Sequence, residues 1–283
     1  MRLYDLRTEY RVNPMGLTAK APRFSWKMES QEKDTLQTAY EIHVTDENGK
    51  LVWNSGKKAS DQSVLISYEG EALASETLYT VQVSVADNHG NTESVEGTFE
   101  TGIFDNTEFK AQMITGDFPE EETACPVFGK TFVLDKKVKK ARLYATAHGV
   151  YEVTLNGQTV GDCRMAPGWT SYHNRLQYQI YDITEMLAAD NKIEITVGNG
   201  WYKGILGFYC QPNQYGTQVG AFAEIHVEYE DGSKEVIATD ETWSVKTGEI
   251  RYSEIYMGET IDTDEPEFED TKVLGVRSEE RRV

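Results

Sequence analysis

The sequence has few of the residues that build disulfide frameworks, metal sites and membrane spans. Its three cysteines, Cys125, Cys163 and Cys210, lie far apart and form no CxxC pair, so neither a disulfide framework nor a zinc site is expected. The N-terminus runs straight into charged residues, and no stretch approaches the length of a membrane-spanning helix. This predicts a cytoplasmic protein without a membrane partner, although a secreted chain that had lost its signal peptide would look the same.

Basic residues are also scarce, with 28 Lys and Arg against 47 Asp and Glu and a net charge of −19. Such a surface repels phosphate backbones and anionic lipids, which argues against nucleic acid as a partner. Neutral ligands such as sugars remain, and so does a cationic partner, although solubility alone explains the charge. The sequence contains neither a GxSxG nucleophile motif nor a GxxxxGK[ST] phosphate loop.

What the chain does have is tyrosine, tryptophan and short alternating segments. Sixteen Tyr and five Trp suit pleated surfaces better than helical bundles. Over the first hundred residues, period-two segments recur about every ten residues, separated by turns such as Asp46-Glu47-Asn48-Gly49. This pattern predicts a fibronectin type III or immunoglobulin-like sandwich over residues 1–103.

The remainder predicts a second antiparallel β-sandwich, so the fold class is all-β. Residues 104–124 lack a sustained period and are interpreted as a linker, whereas strand patterns over 125–250 indicate a jelly-roll-like module. One helical turn is expected just after Asp182, which would cap it. Residues 251–283 become charged and read as a truncated tail or the start of a further module.

Several segments, in order and at matching spacing, resemble bacterial α-L-rhamnosidases. In the first module these are residues 9–17, 22–26, 37–40 and 53–57. In the second they include 141–144, 155–157, 176–179, Ala166-Pro167-Gly168-Trp169-Thr170 and Gly198-Asn199-Gly200-Trp201-Tyr202, followed by 255–262. The resemblance covers roughly residues 5–265, and the ordered set is specific although no single motif is.

The resemblance implies a glycoside hydrolase that removes terminal α-L-rhamnose with inversion. It also implies that the acid and base carboxylates sit in a helical (α/α)₆ barrel that follows these β-modules, and nothing in this sequence has the helical periodicity of that barrel. We therefore predict no catalytic residue here and interpret the chain as a scaffold for the missing catalytic domain. Because the surface that would contact the catalytic domain is exposed in its absence, a homodimer through that surface is a second expectation.

Two other interpretations remain open: a stand-alone rhamnose-binding protein and, less favoured, an active glycosidase. Aromatic faces stack on the C–H faces of a pyranose, and amide or guanidinium groups bind its hydroxyls. The candidate binding residues, in Gly-rich stretches of the second module, are Trp169, Tyr172, Arg175, Asn199, Trp201, Tyr202 and Asn156. The competing interpretation is that both tryptophans pack the sandwich core and that Gly-Asn-Gly is only a turn.

No cofactor is predicted. The resemblance implies that some family members bind rhamnose through calcium, an ion that requires six to eight oxygen ligands. Around Asn199 the sequence supplies few carboxylates, which argues against calcium. Glu259 and Asp262 are the acids of the family-like segment 255–262, and we expect them to form a turn rather than to act in catalysis.

Overall fold

A computed structural model describes residues 1–264 and 270–276 and divides the chain into two compact units. The first is Met1–Glu108 and the second begins at Phe109. Both consist of antiparallel sheets, which confirms the predicted all-β class. Among the described residues, no helix is long and apolar enough to cross a membrane.

The first unit is a seven-stranded sandwich. One sheet has the order β1-β2-β5 and the other the order β4-β3-β6-β7. The strands are β1 (Arg2–Thr8), β2 (Arg23–Glu29), β3 (Gln37–Asp46), β4 (Leu51–Asn54), β5 (Ile66–Ser67), β6 (Leu78–Asp87) and β7 (Thr92–Glu100), followed by a 3₁₀ turn at Asn106–Glu108.

Alternation and turn chemistry explain why this unit folds as it does. In β6 the side chains of Val81, Val83 and Val85 are fully buried on one face, while the residues between them are more exposed. Asp46 closes the β3–β4 hairpin by accepting hydrogen bonds at Oδ1 from the amides of Asn48 and Lys50. The predicted turn is therefore present, fixed by its own aspartate.

The described part of the second unit contains two six-stranded sheets and one hairpin. The first sheet has the path β13-β10-β15-β8-β21 with β16 beside β15, and the second the path β12-β11-β14-β9-β17-β20. The strands are β8 (Ile114–Gly116), β9 (Pro126–Val133), β10 (Val138–His148), β11 (Val150–Leu155), β12 (Gln158–Thr159), β13 (Gln179–Asp182), β14 (Asp190–Gly198), β15 (Gly220–Tyr229), β16 (Lys234–Ala238), β17 (Ser244–Thr247), β18 (Ile250–Glu254), β19 (Gly258–Ile261), β20 (Asp270–Thr271) and β21 (Val273–Gly275).

An apolar core lies inside the second unit. Strands β10 and β15 pair over nearly their whole length, and small side chains such as Ala145 and Ala223 face each other in register. Ile195 of β14 and Phe128 of β9 contribute to the same core. The sandwich is therefore observed, while the jelly-roll order of its connections remains a prediction.

The unit boundaries differ from those expected from the sequence. The segment interpreted as a linker, 104–124, contains β8, which pairs with β15 and β21 of the second unit. In the segment interpreted as a tail, 251–283, β20 and β21 complete the two large sheets. These strands are two or three residues long, too short to show a period. Residues 265–269 and 277–283 of that tail lie outside the described residues.

The predicted helical turn is present as a 3₁₀ turn at Thr184–Met186, but its N-cap residue is Ile183 rather than the predicted Asp182. The carboxylate of Asp182 accepts hydrogen bonds from the amide and the hydroxyl of Thr184, at 3.0 and 2.6 Å. The sequence did not suggest the only described α-helix, α1 (Gly200–Lys203), which has a single turn. That turn begins the candidate site.

Candidate functional site

Several aromatic side chains cluster at one end of the second unit, where glycines allow the backbone segments that carry them to approach closely. The turn between β10 and β11 meets the last residue of β14, with Val150 paired to Gly198. Gly200 has φ +53°, and a Cβ there would lie 2.9 Å from the amide nitrogen of Val150. A Cβ on Gly149 would lie 2.3 Å from the carbonyl oxygen of Gly198. Only glycine allows these backbones to approach so closely and places α1 directly beyond the sheet.

Tyr202 of α1 lies at the centre of this end. Its ring stacks on the imidazole of His148, with centroids 4.4 Å apart and planes within 5°. Tyr172 meets the same ring edge-on at 5.3 Å. A Cβ on Gly216 would lie within 2.5 Å of the Tyr202 ring, so the backbone there closes directly over it. The ring is thus held on several sides.

The two tryptophans of the site form a parallel pair. The indoles of Trp169 and Trp201 have centroids 6.1 Å apart and planes within 4°. Trp169 Nε1 donates to the hydroxyl of Tyr215 at 3.2 Å, which fixes the orientation of that indole. Trp169 remains 56% exposed, and Trp201 is half-buried. Neither packs the sandwich core, so that interpretation of the tryptophans is wrong.

A buried carboxylate connects this end to the β18–β19 hairpin. Glu254, the last residue of β18, is 8% exposed. Its Oε1 accepts from Asn199 Nδ2 at 2.9 Å, and its Oε2 accepts from the amide of Ile205 at 3.0 Å. A Cβ on Gly204 would lie 2.7 Å from Oε2, so a side chain there would displace the carboxylate. Glu254 therefore pins the segment on either side of α1.

The site does not offer the ligand set of a calcium ion. The side-chain amide of Asn199 is turned with its nitrogen toward Glu254, and both oxygens of Glu254 already accept hydrogen bonds. Calcium requires six to eight oxygens, usually with several carboxylates. Across residues 1–264 and 270–276 there is no group of three or more His, Cys, Asp or Glu placed to hold a metal ion. The residues present do not fit calcium.

Burial also sets the protonation of nearby groups. Burial raises the pKa of the Tyr172 hydroxyl to about 12, so this phenol stays neutral and donates to the carbonyl oxygen of Gly168 at 3.2 Å. Burial likewise raises the pKa of the Cys125 thiol to about 12, with the negative charge of Glu259 as a smaller cause. Cys125 is therefore no nucleophile at neutral pH.

Beyond the aromatic end, a tight turn presents two further rings. Leu206 and Gln211 exchange backbone hydrogen bonds at 3.0 and 3.2 Å and close a four-residue loop. At its tip, Phe208 and Tyr209 are 93% and 81% exposed and touch each other edge to face at 5.5 Å. The tip of the β18–β19 hairpin also exposes apolar side chains, those of Tyr256 and Met257.

The structure brings six of the seven predicted site residues to this end. Trp169, Tyr172, Trp201 and Tyr202 lie in ring contact, Asn199 precedes α1, and Arg175 donates through Nε to Thr170 at 3.1 Å.

Asn156 lies elsewhere, in the turn after the far end of β11, where its amide donates to Met186 and Asn191. Its φ of +53° and that of Gly157 at +77° fit the predicted hairpin turn.

Sequence reasoning missed Tyr215 and Glu254 as parts of the site. Tyr215 carried no motif, and its only signal was the surrounding run without charges. Glu254 lies in a plain strand, and its role depends on contacts 49 and 55 residues away in sequence. The two acids of the family-like segment differ from it: Glu259 is exposed and accepts from Ser253 Oγ at 3.1 Å, and Asp262 donates its amide to the carbonyl of Glu249.

Fold and site together define a tandem β-sandwich protein with an aromatic end on its second unit. The second unit matches the family model described as the alpha-L-rhamnosidase N-terminal domain, over residues 136–281. The first matches the Rha78A-like N-terminal immunoglobulin domain, over residues 3–105. The chain belongs to the family of α-L-rhamnosidase N-terminal domains.

Full-length relatives are considerably longer than this chain. An α-L-rhamnosidase of Formosa agariphila is 35% identical over 272 residues, which cover 88% of this chain and 29% of that protein. The crystal structure of the Aspergillus terreus α-L-rhamnosidase is 32% identical with a TM-score of 0.90, covering 99% of this chain and 34% of that one. The Streptomyces avermitilis enzyme, solved in complex with L-rhamnose, has the same fold at 23% identity and a TM-score of 0.88, over 97% of this chain and 45% of that one.

Proposed function

We propose that this chain is the non-catalytic β-sandwich part of an α-L-rhamnosidase and that it supports the remaining polypeptide of that enzyme. The observation that carries this proposal is the match itself. Both matching families are N-terminal domains, and the chain spans 29% of the Formosa agariphila relative. Most of such an enzyme, including its chemistry, then lies outside this chain.

The buried carboxylates of the second unit support a structural role. An inverting glycosidase needs one carboxylic acid and one carboxylate free to act, about 6.5–9.5 Å apart. Glu224 is fully buried, and one oxygen accepts from the amides of Lys110 and Ala111 while the other contacts His226 at 2.6 Å. Glu254 has both oxygens occupied as described above. These acids hold backbone segments in place.

The proposal is tested by adding this chain to the part of the Formosa agariphila enzyme outside the matched region, produced separately. We expect the chain to raise the initial rate of hydrolysis of an aryl α-L-rhamnoside, or the melting temperature of that part, in a saturable way. The enzyme's own N-terminal part is the positive control, and an unrelated acidic β-sandwich protein is the negative control. If the enzyme's own part has an effect and this chain has none, the proposal is wrong.

Rhamnose binding at the aromatic end is a second candidate function. The observation that favours it is the geometry of Trp169, a residue that is 56% exposed while Trp201 and Tyr215 fix the orientation of its indole. A fixed and open aromatic face is the element that stacks on a pyranose. Arg175 and the neighbouring Asn174 are exposed polar side chains on the same segment.

Tryptophan fluorescence tests this candidate during a titration with L-rhamnose, with glucose as control and with or without calcium. We expect saturation below about 10 mM, which corresponds to roughly −3 kcal/mol, and loss of the response in Trp169→Ala. Tyr10→Ala is the matched control, since Tyr10 is 64% exposed in the first unit. An unchanged titration in Trp169→Ala, or no response to tens of millimolar sugar, would exclude this site.

A further inference from the structure

We infer that the turn bearing Phe208 and Tyr209, together with the hairpin tip bearing Tyr256 and Met257, is the surface through which this chain binds the remaining polypeptide of its enzyme. These four residues are called the docking surface below. The inference rests on the proposed function and adds to it a location and the residues that make the contact.

The two most exposed rings of the docking surface are held in place rather than loosely attached. The four-residue loop at Phe208 and Tyr209 is closed by paired backbone hydrogen bonds between Leu206 and Gln211. The following segment is tied back where the amide of Asn213 donates to the carbonyl of Lys203 at 2.8 Å. Since the loop is already ordered, binding at this surface costs little conformational entropy.

The same carboxylate holds both parts of the docking surface at one end of the unit. Glu254 binds the amide of Ile205, three residues before Phe208. Glu254 is itself two residues before Tyr256, at the hairpin tip. Both parts of the docking surface therefore begin within three residues of the same buried contact, and one partner can bind to both.

Charge distinguishes the segment that carries Phe208 and Tyr209 from the rest of the chain. Residues 204–223 contain no Asp, Glu, Lys or Arg, although 27% of all residues are charged. Depletion of charge together with exposed aromatic side chains marks the centre of a protein–protein interface. The rings also stand on a protruding turn, whereas sugar sites are concave, so a saccharide fits this surface poorly.

The length of the relatives identifies the occupant. This chain matches 29% of the enzyme of Formosa agariphila and 34% of that of Aspergillus terreus, so about two thirds of each enzyme lies outside the matched part. A second copy of this chain is a poor alternative, because two bodies of charge −19 repel each other. The occupant we assign is therefore the remaining polypeptide of an α-L-rhamnosidase.

The test measures binding of this chain to the separately produced remainder of the Formosa agariphila enzyme by sedimentation velocity. The variant is Phe208→Ser with Tyr209→Ser. The matched control is Leu36→Ser with Val64→Ser, two side chains that are 65% and 61% exposed in the first unit. We expect the docking-surface variant to weaken binding by roughly 30-fold or more, as for truncated hot spots, and the control to bind like the wild type.

Each other outcome is decisive. Equal binding by the wild type and the Phe208/Tyr209 variant would overturn this inference and leave the proposed function standing. Failure of the wild-type chain to bind, where the enzyme's own N-terminal part does, would overturn both. A dimer of this chain alone that the variant dissociates would assign the surface to a second copy and overturn the occupant named here. Circular dichroism of both variants checks that they are folded.

Discussion

Glu254→Ala is the substitution that tests how the aromatic end is held together. In the wild type, one carboxylate that is 8% exposed accepts hydrogen bonds from the side chain of Asn199 and the amide of Ile205. Alanine removes both acceptors and leaves two donors without their partner. The neighbouring strand offers a matched control in Glu259→Ala, since Glu259 is exposed and accepts a hydrogen bond from Ser253.

The expected magnitude follows from the number and kind of these bonds. A hydrogen bond to a charged group contributes roughly 1.5–3 kcal/mol, so two bonds set an upper limit of about 6 kcal/mol. Removing the buried charge recovers part of this, because its desolvation penalty is also removed. We expect a net loss of about 2–3 kcal/mol in the free energy of unfolding, and less than about 0.5 kcal/mol for Glu259→Ala.

Urea denaturation gives this free energy directly. With an m-value of about 2 kcal/mol per molar, the midpoint of the second unit should fall by roughly 1–1.5 M in Glu254→Ala. Hydrogen exchange adds a local measurement: the amide of Ile205 should exchange roughly 30-fold faster or more. If Glu254→Ala and Glu259→Ala have the same midpoint and the exchange of the Ile205 amide does not change, the carboxylate of Glu254 does not hold this segment in place.

Three further predictions concern other contacts of the second unit. Gly216→Ala should lower the free energy of unfolding by about 1–3 kcal/mol, measured in urea, because its Cβ would clash with the Tyr202 ring. Although burial opposes ionisation of Glu224, hydrogen bonds from His226 and two amides hold its pKa below 4.5. At pH 7 the wild type should therefore have a larger free energy of unfolding than Glu224→Gln. In urea titrations this difference should shrink as the pH falls below about 4. At pH 8 a thiol reagent should modify two cysteines quickly and Cys125 only after unfolding; rapid reaction of all three would contradict its burial.

Much of the fold could be predicted because strand alternation and turn chemistry are local. The segment containing Val81, Val83 and Val85 shows its buried face in the sequence itself, and the Asn156-Gly157 turn carries its own conformational preference. The all-β class and both sandwiches followed from such signals. Strands of two or three residues, such as β8 and β21, have no pattern to read, which is why the unit boundaries differed.

Most residues of the aromatic end could be predicted from the sequence, but the contacts among them could not. Trp169 and Trp201 could be selected because they sit beside glycines in stretches poor in strand signal. Their partner Tyr215 and the pinning carboxylate of Glu254 depend on contacts distant in sequence, which no local pattern reveals. Asn156 is a similar case: its residue type suggested a ligand, but its side chain donates to the carbonyl of Met186 and accepts from the amide of Lys192, 30 and 36 residues away in sequence.

We propose that this chain contributes a surface rather than chemistry to rhamnoside cleavage. The most direct measurement is the rate at which the purified chain alone, at tens of micromolar, hydrolyses an aryl α-L-rhamnoside. We expect a rate equal to the uncatalysed background, in the wild type and in Glu254→Gln and Glu259→Gln alike. Turnover that scales with the concentration of the chain, and that either substitution abolishes while the fold is kept, would contradict it.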